Sequence, residues 1–186
     1  MMFAAIYLPD FELQAALRLQ PELHRQPIGL LADNHRATIL QLTASAAEAG
    51  VSAGMTPSQG LARCLRLTIK TRAHEQERIA GDILLHHAAT LSPEMEATAP
   101  GVCTMRLVSR KDCRENVERV VRQLADLQLR AQAGLAATPD LSFLAACLAR
   151  PVLQINESEE FLAPLPLETL FHLAQLEGWA PSRPKF

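Results

Sequence analysis

Two pairs of acidic residues are the first candidates for chemistry in this sequence. Asp10 and Glu12 follow an apolar run at the N-terminus, and Glu94 and Glu96 precede an alternating segment in the middle of the chain. Paired carboxylates could hold Mg²⁺ for phosphoryl transfer. In the alternative interpretation, Asp10 caps a helix, Glu12 lies on its solvated face, and the second pair stands at the start of a strand. This structural interpretation is favoured, because apolar residues occupy the strand ends where a metal site needs carboxylates.

Other reactive side chains form no assembled motif. Four serines, Ser45, Ser58, Ser92 and Ser142, do not lie in the G-x-S-x-G context of a nucleophile elbow. Gly50 and Gly54 are not followed by the GK[ST] residues of a phosphate-binding loop. His86 and His87 are adjacent, with no further ligand nearby in the sequence, so a metal site there is not expected. Basic residues gather in the middle of the chain and form either a solvated face or a weak phosphate-contacting face. They are Arg106, Arg110, Lys111, Arg114, Arg119 and Arg122.

The composition indicates a soluble, cytoplasmic protein with a sizeable core. The chain has 186 residues, of which 48% are hydrophobic, and its formal charge is −2, so it has no global attraction to nucleic acid or anionic membranes. No stretch approaches the roughly 20 apolar residues that cross a bilayer. The four cysteines show no metal-ligand spacing and are predicted to be reduced and mostly buried. They are Cys64, Cys103, Cys113 and Cys147.

The periodicity of apolar residues, together with proline and glycine signals, predicts a mixed succession of strands and helices. The first half comprises a strand over 3–8, a helix that begins after Asp10, a hairpin over 27–42, helices over 44–49 and 57–65, a strand over 67–70 and a long helix over 74–90. The second half comprises strands over 95–99 and 102–108, a long helix around 117–127, a strand over 131–136, a helix over 139–149, short pieces over 152–155 and 157–162, and a last helix over 167–176. This order predicts an α+β domain with long helices on one face of a mixed sheet.

Several segments, in a shared order, are similar to one protein family. The clearest is residues 46–62, AAEAGVSAGMTPSQGLA, which resembles an A-R-x-x-G-V-x-x-G-M-x-x-x-x-A phrase. The others are residues 5–15, 26–31, 134–139, 148–151 and 161–167. Together they resemble the palm and fingers of Y-family (UmuC/DinB-type) DNA polymerases, and more specifically the ImuB-type polymerase-like proteins of bacterial damage-induced mutagenesis.

The resemblance implies a ferredoxin-like palm over residues 1–170, with a small helical fingers insertion at about 43–72. Residues 171–186 would then be a C-terminal remnant, and the chain would stop where the family's thumb begins. Most of the surface that grips DNA would be absent, so the resemblance implies weak DNA binding at best.

The positions that would hold metal ions depart from the family pattern. In an active member the first strand ends with a metal-binding Asp, and the resemblance places Leu8 there. A later strand carries an Asp-Glu pair, which the resemblance places at Gly101 and Val102. Asp10 matches only a second, non-essential acidic position. The resemblance therefore implies no catalytic metal site and no cofactor.

The positions that would hold a nucleoside triphosphate also depart from the pattern. The fingers Tyr and Arg of the family correspond to Ala44 and Ala47, and a phosphate-binding Lys corresponds to Pro139. Two metal ions and a triphosphate carry several charges of each sign, which these side chains cannot balance. We therefore expect a protein that is not an enzyme.

The expected function is a non-catalytic accessory role in bacterial DNA damage tolerance, including SOS mutagenesis and translesion synthesis. By resemblance, its partners would be an error-prone polymerase, the recombinase or the sliding clamp, with no membrane contact. The alternative is a small protein-interaction or regulatory domain that uses a palm-like scaffold and has no role in repair.

Overall fold

Eight strands and seven α-helices make up the part of the chain that the computed structural model describes, residues 1–33, 37–108 and 112–166. This part divides into two compact units. The large unit comprises Met1–Pro9 and the described residues from Gly81 onward, and the small unit comprises Asp10–Ala80. No helix among the described residues has the length and apolar character needed to span a membrane.

The bounds of the elements follow the sequence pattern closely. The strands are β1 (Met2–Tyr7), β2 (Ile28–Leu31), β3 (Ile39–Leu42), β4 (Thr68–Lys70), β5 (Met95–Ala99), β6 (Val102–Leu107), β7 (Gln132–Ala136) and β8 (Val152–Gln154). The α-helices are α1 (Phe11–Leu17), α2 (Ala44–Glu48), α3 (Pro57–Arg63), α4 (His74–Ala89), α5 (Cys113–Asp126), α6 (Pro139–Leu148) and α7 (Ser158–Leu162). A 3₁₀-helix at Pro21–Arg25 was not predicted, and the predicted last helix at 167–176 lies outside the described residues.

The sheet of the large unit has the strand order β5-β6-β1-β7-β8. The central strand β1 runs antiparallel to β6 and β7, and β8 runs parallel to β7. Together with the chain order β1-α4-β5-β6-α5-β7, this strand order is that of a ferredoxin-like sheet extended by β8. The predicted α+β class with a mixed sheet is confirmed.

Helix α6 packs closely against one face of this sheet because Gly134 has no side chain. A Cβ atom at Gly134 would lie 2.1 Å from the carbonyl oxygen of Ser142 and 2.4 Å from the backbone nitrogen of Ala146. Gly134 pairs with Ala5 of β1, so both residues lie beneath the helix on the same face. The sheet and α6 thereby bury the centre of the large unit.

The small unit contains a second sheet, in the order β3-β2-β4, and this sheet confirms the predicted hairpin. Strands β2 and β3 are antiparallel, whereas β2 and β4 are parallel. One apolar cluster joins α1 to β2, and another forms around Ile39, Ala46, Val51 and Leu67. The segment 43–72, which the resemblance assigns to the fingers, lies within this unit.

Helix ends show where local sequence signals were sufficient. Thr56 accepts a hydrogen bond from the backbone N–H of Gln59, whose side chain accepts one from the N–H of Thr56, as in a capping box. Asp10 does occupy the N-cap position of α1, but its predicted capping role is wrong, because its side chain makes no capping hydrogen bond. Its backbone is left-handed (φ 49°, ψ 48°), whereas a capping side chain reaches the helix from extended backbone.

Candidate functional site

The end of β1 meets the turn between β5 and β6, and this junction contains the three positions that the resemblance assigns to metal ligands. The backbone N–H of Leu8 donates a hydrogen bond to the carbonyl oxygen of Gly101 at 2.8 Å. Gly101 adopts a left-handed backbone (φ 70°) that reverses the chain into β6, which begins at Val102. The structure therefore brings Leu8, Gly101 and Val102 together.

The strand register places Tyr7, rather than Leu8, on the same face of the sheet as Val102. Tyr7 and Val102 are directly paired across β1 and β6, and paired residues project to the same side. The Tyr7 ring packs edge-on against Phe143 of α6, with ring centroids 6.0 Å apart. The side chain of Leu8 is fully buried. Sequence reasoning missed Tyr7 and Phe143, because an all-apolar run does not reveal its register.

The surroundings of Tyr7 and Val102 are apolar. Val102 and Phe143 belong to a buried cluster with two alanines, against which Tyr7 and Cys147 pack. Burial raises the pKa of the Cys147 thiol to about 12, because a low-polarity environment disfavours the charged thiolate. The same effect raises the pKa of Cys103, which is buried in β6, to about 11. These surroundings favour neutral groups over the charges of a metal centre.

We expect Cys147 to react slowly with alkylating reagents in the folded protein. The thiolate is the reacting form, and with a pKa of about 12 it is scarce at neutral pH. At about pH 8.5, the thiolate fraction is about a thousandfold lower in the folded protein than in urea, and this difference is partly offset by the greater nucleophilicity of a more basic thiolate. Iodoacetamide should therefore modify Cys147 on the order of a hundredfold more slowly in the folded protein, and the folded rate should rise with pH. Mass spectrometry of the modified peptides measures both rates, and equal rates would contradict the apolar environment.

One member of each acidic pair, Glu12 and Glu94, is engaged in local structure. Glu94 accepts two hydrogen bonds of 2.6 Å from the guanidinium of Arg106, and these bonds lower its pKa. Glu12 accepts a hydrogen bond from the side-chain amide of Gln41 and lies 4.0 Å from Arg72. Both carboxylates therefore have partners within their own units. Glu94 directly precedes β5, as the structural interpretation predicts. The predicted solvated position of Glu12 is wrong, because its side chain is only 18% exposed and accepts a hydrogen bond from Gln41.

The described residues at the junction of β1 and β6 do not fit a Mg²⁺ centre. Mg²⁺ takes oxygen ligands in an octahedral arrangement, usually with one or two carboxylates. Among the described residues, no group of three His, Cys, Asp or Glu side chains is placed to hold a metal ion. His87 instead bonds through Nδ1 to the carbonyl oxygen of Ile83 at 2.8 Å. At the end of β1, the side chains of Leu8 and Val102 carry no oxygen atom.

The candidate triphosphate positions offer neither a charge nor a side-chain donor. Ala44 and Ala47 are exposed on α2 of the small unit. Pro139 is the first residue of α6 in the large unit, following Thr138, whose hydroxyl caps that helix. Proline lacks a backbone N–H as well, so it cannot hydrogen-bond a phosphate.

The fold is that of Y-family DNA polymerases. The insertion ternary complex of Dbh DNA polymerase superposes with a TM-score of 0.79, and DinB from Sulfolobus solfataricus with 0.78, each at 14% identity over 91% of this chain and 53% of the other. A DinB family error-prone DNA polymerase from Sulfolobus solfataricus gives 0.71 at 17% identity, over 91% and 52%. The chain thus spans about half the length of these polymerases.

The sequence model of the impB/mucB/samB family matches residues 6–147, so the chain belongs to this family. A comparison with curated proteins gives no match. Family and fold together define a Y-family polymerase-like domain.

Proposed function

We propose that this chain is a non-catalytic accessory protein of bacterial DNA damage tolerance, of the ImuB type, that acts through protein–protein contacts. The observation that carries this proposal is the junction of β1 and β6. There Tyr7 and Leu8 meet Gly101 and Val102, and none of these four residues carries a carboxylate. The pseudoenzyme role follows from the chemistry that these side chains cannot perform.

Phosphoryl transfer by a polymerase depends on divalent metal ions that neutralise the charge developing on the phosphates. At the junction, the apolar contacts of Tyr7 with Phe143 and Val102 occupy the sheet face where ligands would have to project. The positions that correspond to triphosphate-binding residues, Ala44, Ala47 and Pro139, supply no compensating charge. The side chains at these positions therefore provide neither ligands for a metal ion nor charges that could bind a nucleotide.

The partners we propose are proteins that act in damage tolerance: an error-prone polymerase, the recombinase or the sliding clamp. We propose that DNA binding by this chain is weak, because phosphate contacts rely on available Lys and Arg side chains. Two of the basic residues in the middle of the chain are instead paired with acids, Arg106 with Glu94 and Arg114 with Glu118. Family membership supports a repair role over an interaction domain unrelated to repair.

Purified protein is expected to give no primer extension above background. The assay contains a primed DNA template, all four deoxynucleoside triphosphates and Mg²⁺ or Mn²⁺, with DinB from Sulfolobus solfataricus as the positive control. The physical reason is the missing metal ligands, so a higher metal concentration should not restore extension. Extension that depends on this protein and exceeds the no-enzyme background would refute the non-catalytic assignment.

A further inference from the structure

The small unit presents an exposed projection at residues 61–66, between two buried anchors. Gly60 is buried, and a Cβ atom there would lie 2.7 Å from a methyl carbon of Leu67. Leu67 is itself only 6% exposed. Between these anchors, Leu61 is 40% exposed and Leu65 is 93% exposed. The chain is thus held at both ends while two leucines project from its surface, and we name residues 61–66 the projection.

The projection is also cationic. Arg63 and Arg66 are both exposed, and within the described part of the chain neither guanidinium group has a hydrogen bond or an ion pair. The sequence from 49 to 74 contains no Asp or Glu. Other basic side chains of this stretch do have partners: Lys70 donates to Gln20, and Arg72 pairs with Glu77. The two arginines that remain unpaired are those beside the exposed leucines.

We propose that the projection is a docking surface for an acidic segment of a partner protein that carries a large apolar side chain. The unpaired guanidinium groups of Arg63 and Arg66 can form charge-assisted hydrogen bonds with carboxylates. Leu61 and Leu65 lose water-exposed apolar surface only if the partner supplies apolar atoms. A nucleic-acid backbone would satisfy the arginines and leave the leucines exposed, so the pairing of both residue types favours a protein. This inference rests on the proposed function and names the chemistry of one partner contact.

Fluorescence anisotropy of the full chain tests the proposal with a defined probe. The probe is a fluorescein-labelled peptide in which one Leu and one Phe stand among Asp and Glu residues. We expect binding that weakens at least about tenfold in Leu65→Ser and in the double variant Arg63→Glu/Arg66→Glu. A second peptide, with the Leu and Phe replaced by Ser, should bind as weakly as the probe binds to Leu65→Ser.

Matched variants in the large unit control for the loss of an exposed leucine or arginine. Leu127 is 39% exposed and Arg122 is exposed on α5, so Leu127→Ser and Arg122→Glu remove comparable side chains elsewhere. Both should bind the probe as the unaltered chain does. Circular dichroism of every variant verifies that it is folded.

Three outcomes would overturn the proposal. The first is no binding of the acidic peptide to the unaltered chain. The second is equal weakening by the control variants. The third is tighter binding of a labelled single-stranded oligonucleotide, lost in Arg63→Glu/Arg66→Glu and retained in Leu65→Ser, which would identify a nucleic-acid surface.

Primer extension separates this proposal from the proposed function, because an active polymerase that binds the peptide would refute the non-catalytic role and leave the docking surface intact.

Discussion

Replacing Leu8 by Asp is expected to destabilise the large unit severely without creating polymerase activity. Leu8 is fully buried, and a buried carboxylate without a partner costs several kcal/mol. We expect the free energy of unfolding to fall by about 4 kcal/mol or more at neutral pH, as measured by urea denaturation. Primer extension should remain at background, because Gly101 and Val102 still provide no carboxylate.

The pH dependence of the Leu8→Asp variant reveals the cause of its instability. Burial raises the pKa of an introduced carboxyl, so the folded variant retains its proton at a pH where the unfolded chain has lost it. The stability deficit should therefore be smaller near pH 4 than at pH 7. Leu8→Met, which keeps the volume and adds no charge, should cost less than about 1.5 kcal/mol at either pH.

Tyr7→Asp is the matched comparison for the neighbouring position. Tyr7 is partly buried on the face shared with Val102, so its replacement should destabilise the protein less than Leu8→Asp does. A Leu8→Asp variant that is as stable as Tyr7→Asp would contradict the burial and register described for β1. A Leu8→Asp variant that extends a primer would contradict the expectation that this single change creates no activity.

The sequence was sufficient where structure is determined by local signals. The apolar run that forms β1, the hairpin of β2 and β3, and the capping box at Thr56 each depend on residues close together in the chain. Cys103, Met105 and Leu107 alternate with Thr104 and Arg106 along β6, and the structure buries these three residues. These predictions needed no knowledge of tertiary contacts.

The sequence was insufficient where tertiary contacts decide. It did not indicate that Val102 pairs with Tyr7, because the register of neighbouring strands depends on the whole sheet. It also assigned a side-chain cap to Asp10, whose left-handed backbone conformation prevents that role. The contact of Phe143 with Tyr7 joins residues far apart in the chain and leaves no local pattern.

The junction of β1 and β6 and the projection differ in exposure and in charge. At the junction of β1 and β6, apolar side chains pack against one another, and burial raises the pKa of Cys147. At the projection, apolar and cationic side chains remain exposed and unpaired in the described structure. Binding to a partner protein requires an exposed surface such as the projection. A chain that performs no phosphoryl transfer does not require charged side chains at the junction of β1 and β6.

Arg72 shows how the small unit neutralises a cation that lies six residues after the projection in the sequence. Its guanidinium donates hydrogen bonds of 2.9 and 2.6 Å to the two carboxylate oxygens of Glu77. It also lies 4.0 Å from a carboxylate oxygen of Glu12 and 3.9 Å from one of Asp33. The hydrogen bond with Glu77 is the main cause of a raised pKa for Arg72. Glu77 is buried, so this pair is a structural one.

Arg72→Met is expected to lower the free energy of unfolding by about 3 kcal/mol, because it leaves the buried carboxylate of Glu77 without its partner. The double variant Arg72→Met/Glu77→Leu should recover more than half of that loss, since it removes the unpaired charge. Arg114→Met, which breaks an exposed pair with Glu118, is the control and should cost at most about 1 kcal/mol. Urea denaturation of the four proteins measures these differences. Equal losses in Arg72→Met and Arg114→Met would contradict a structural role for Arg72.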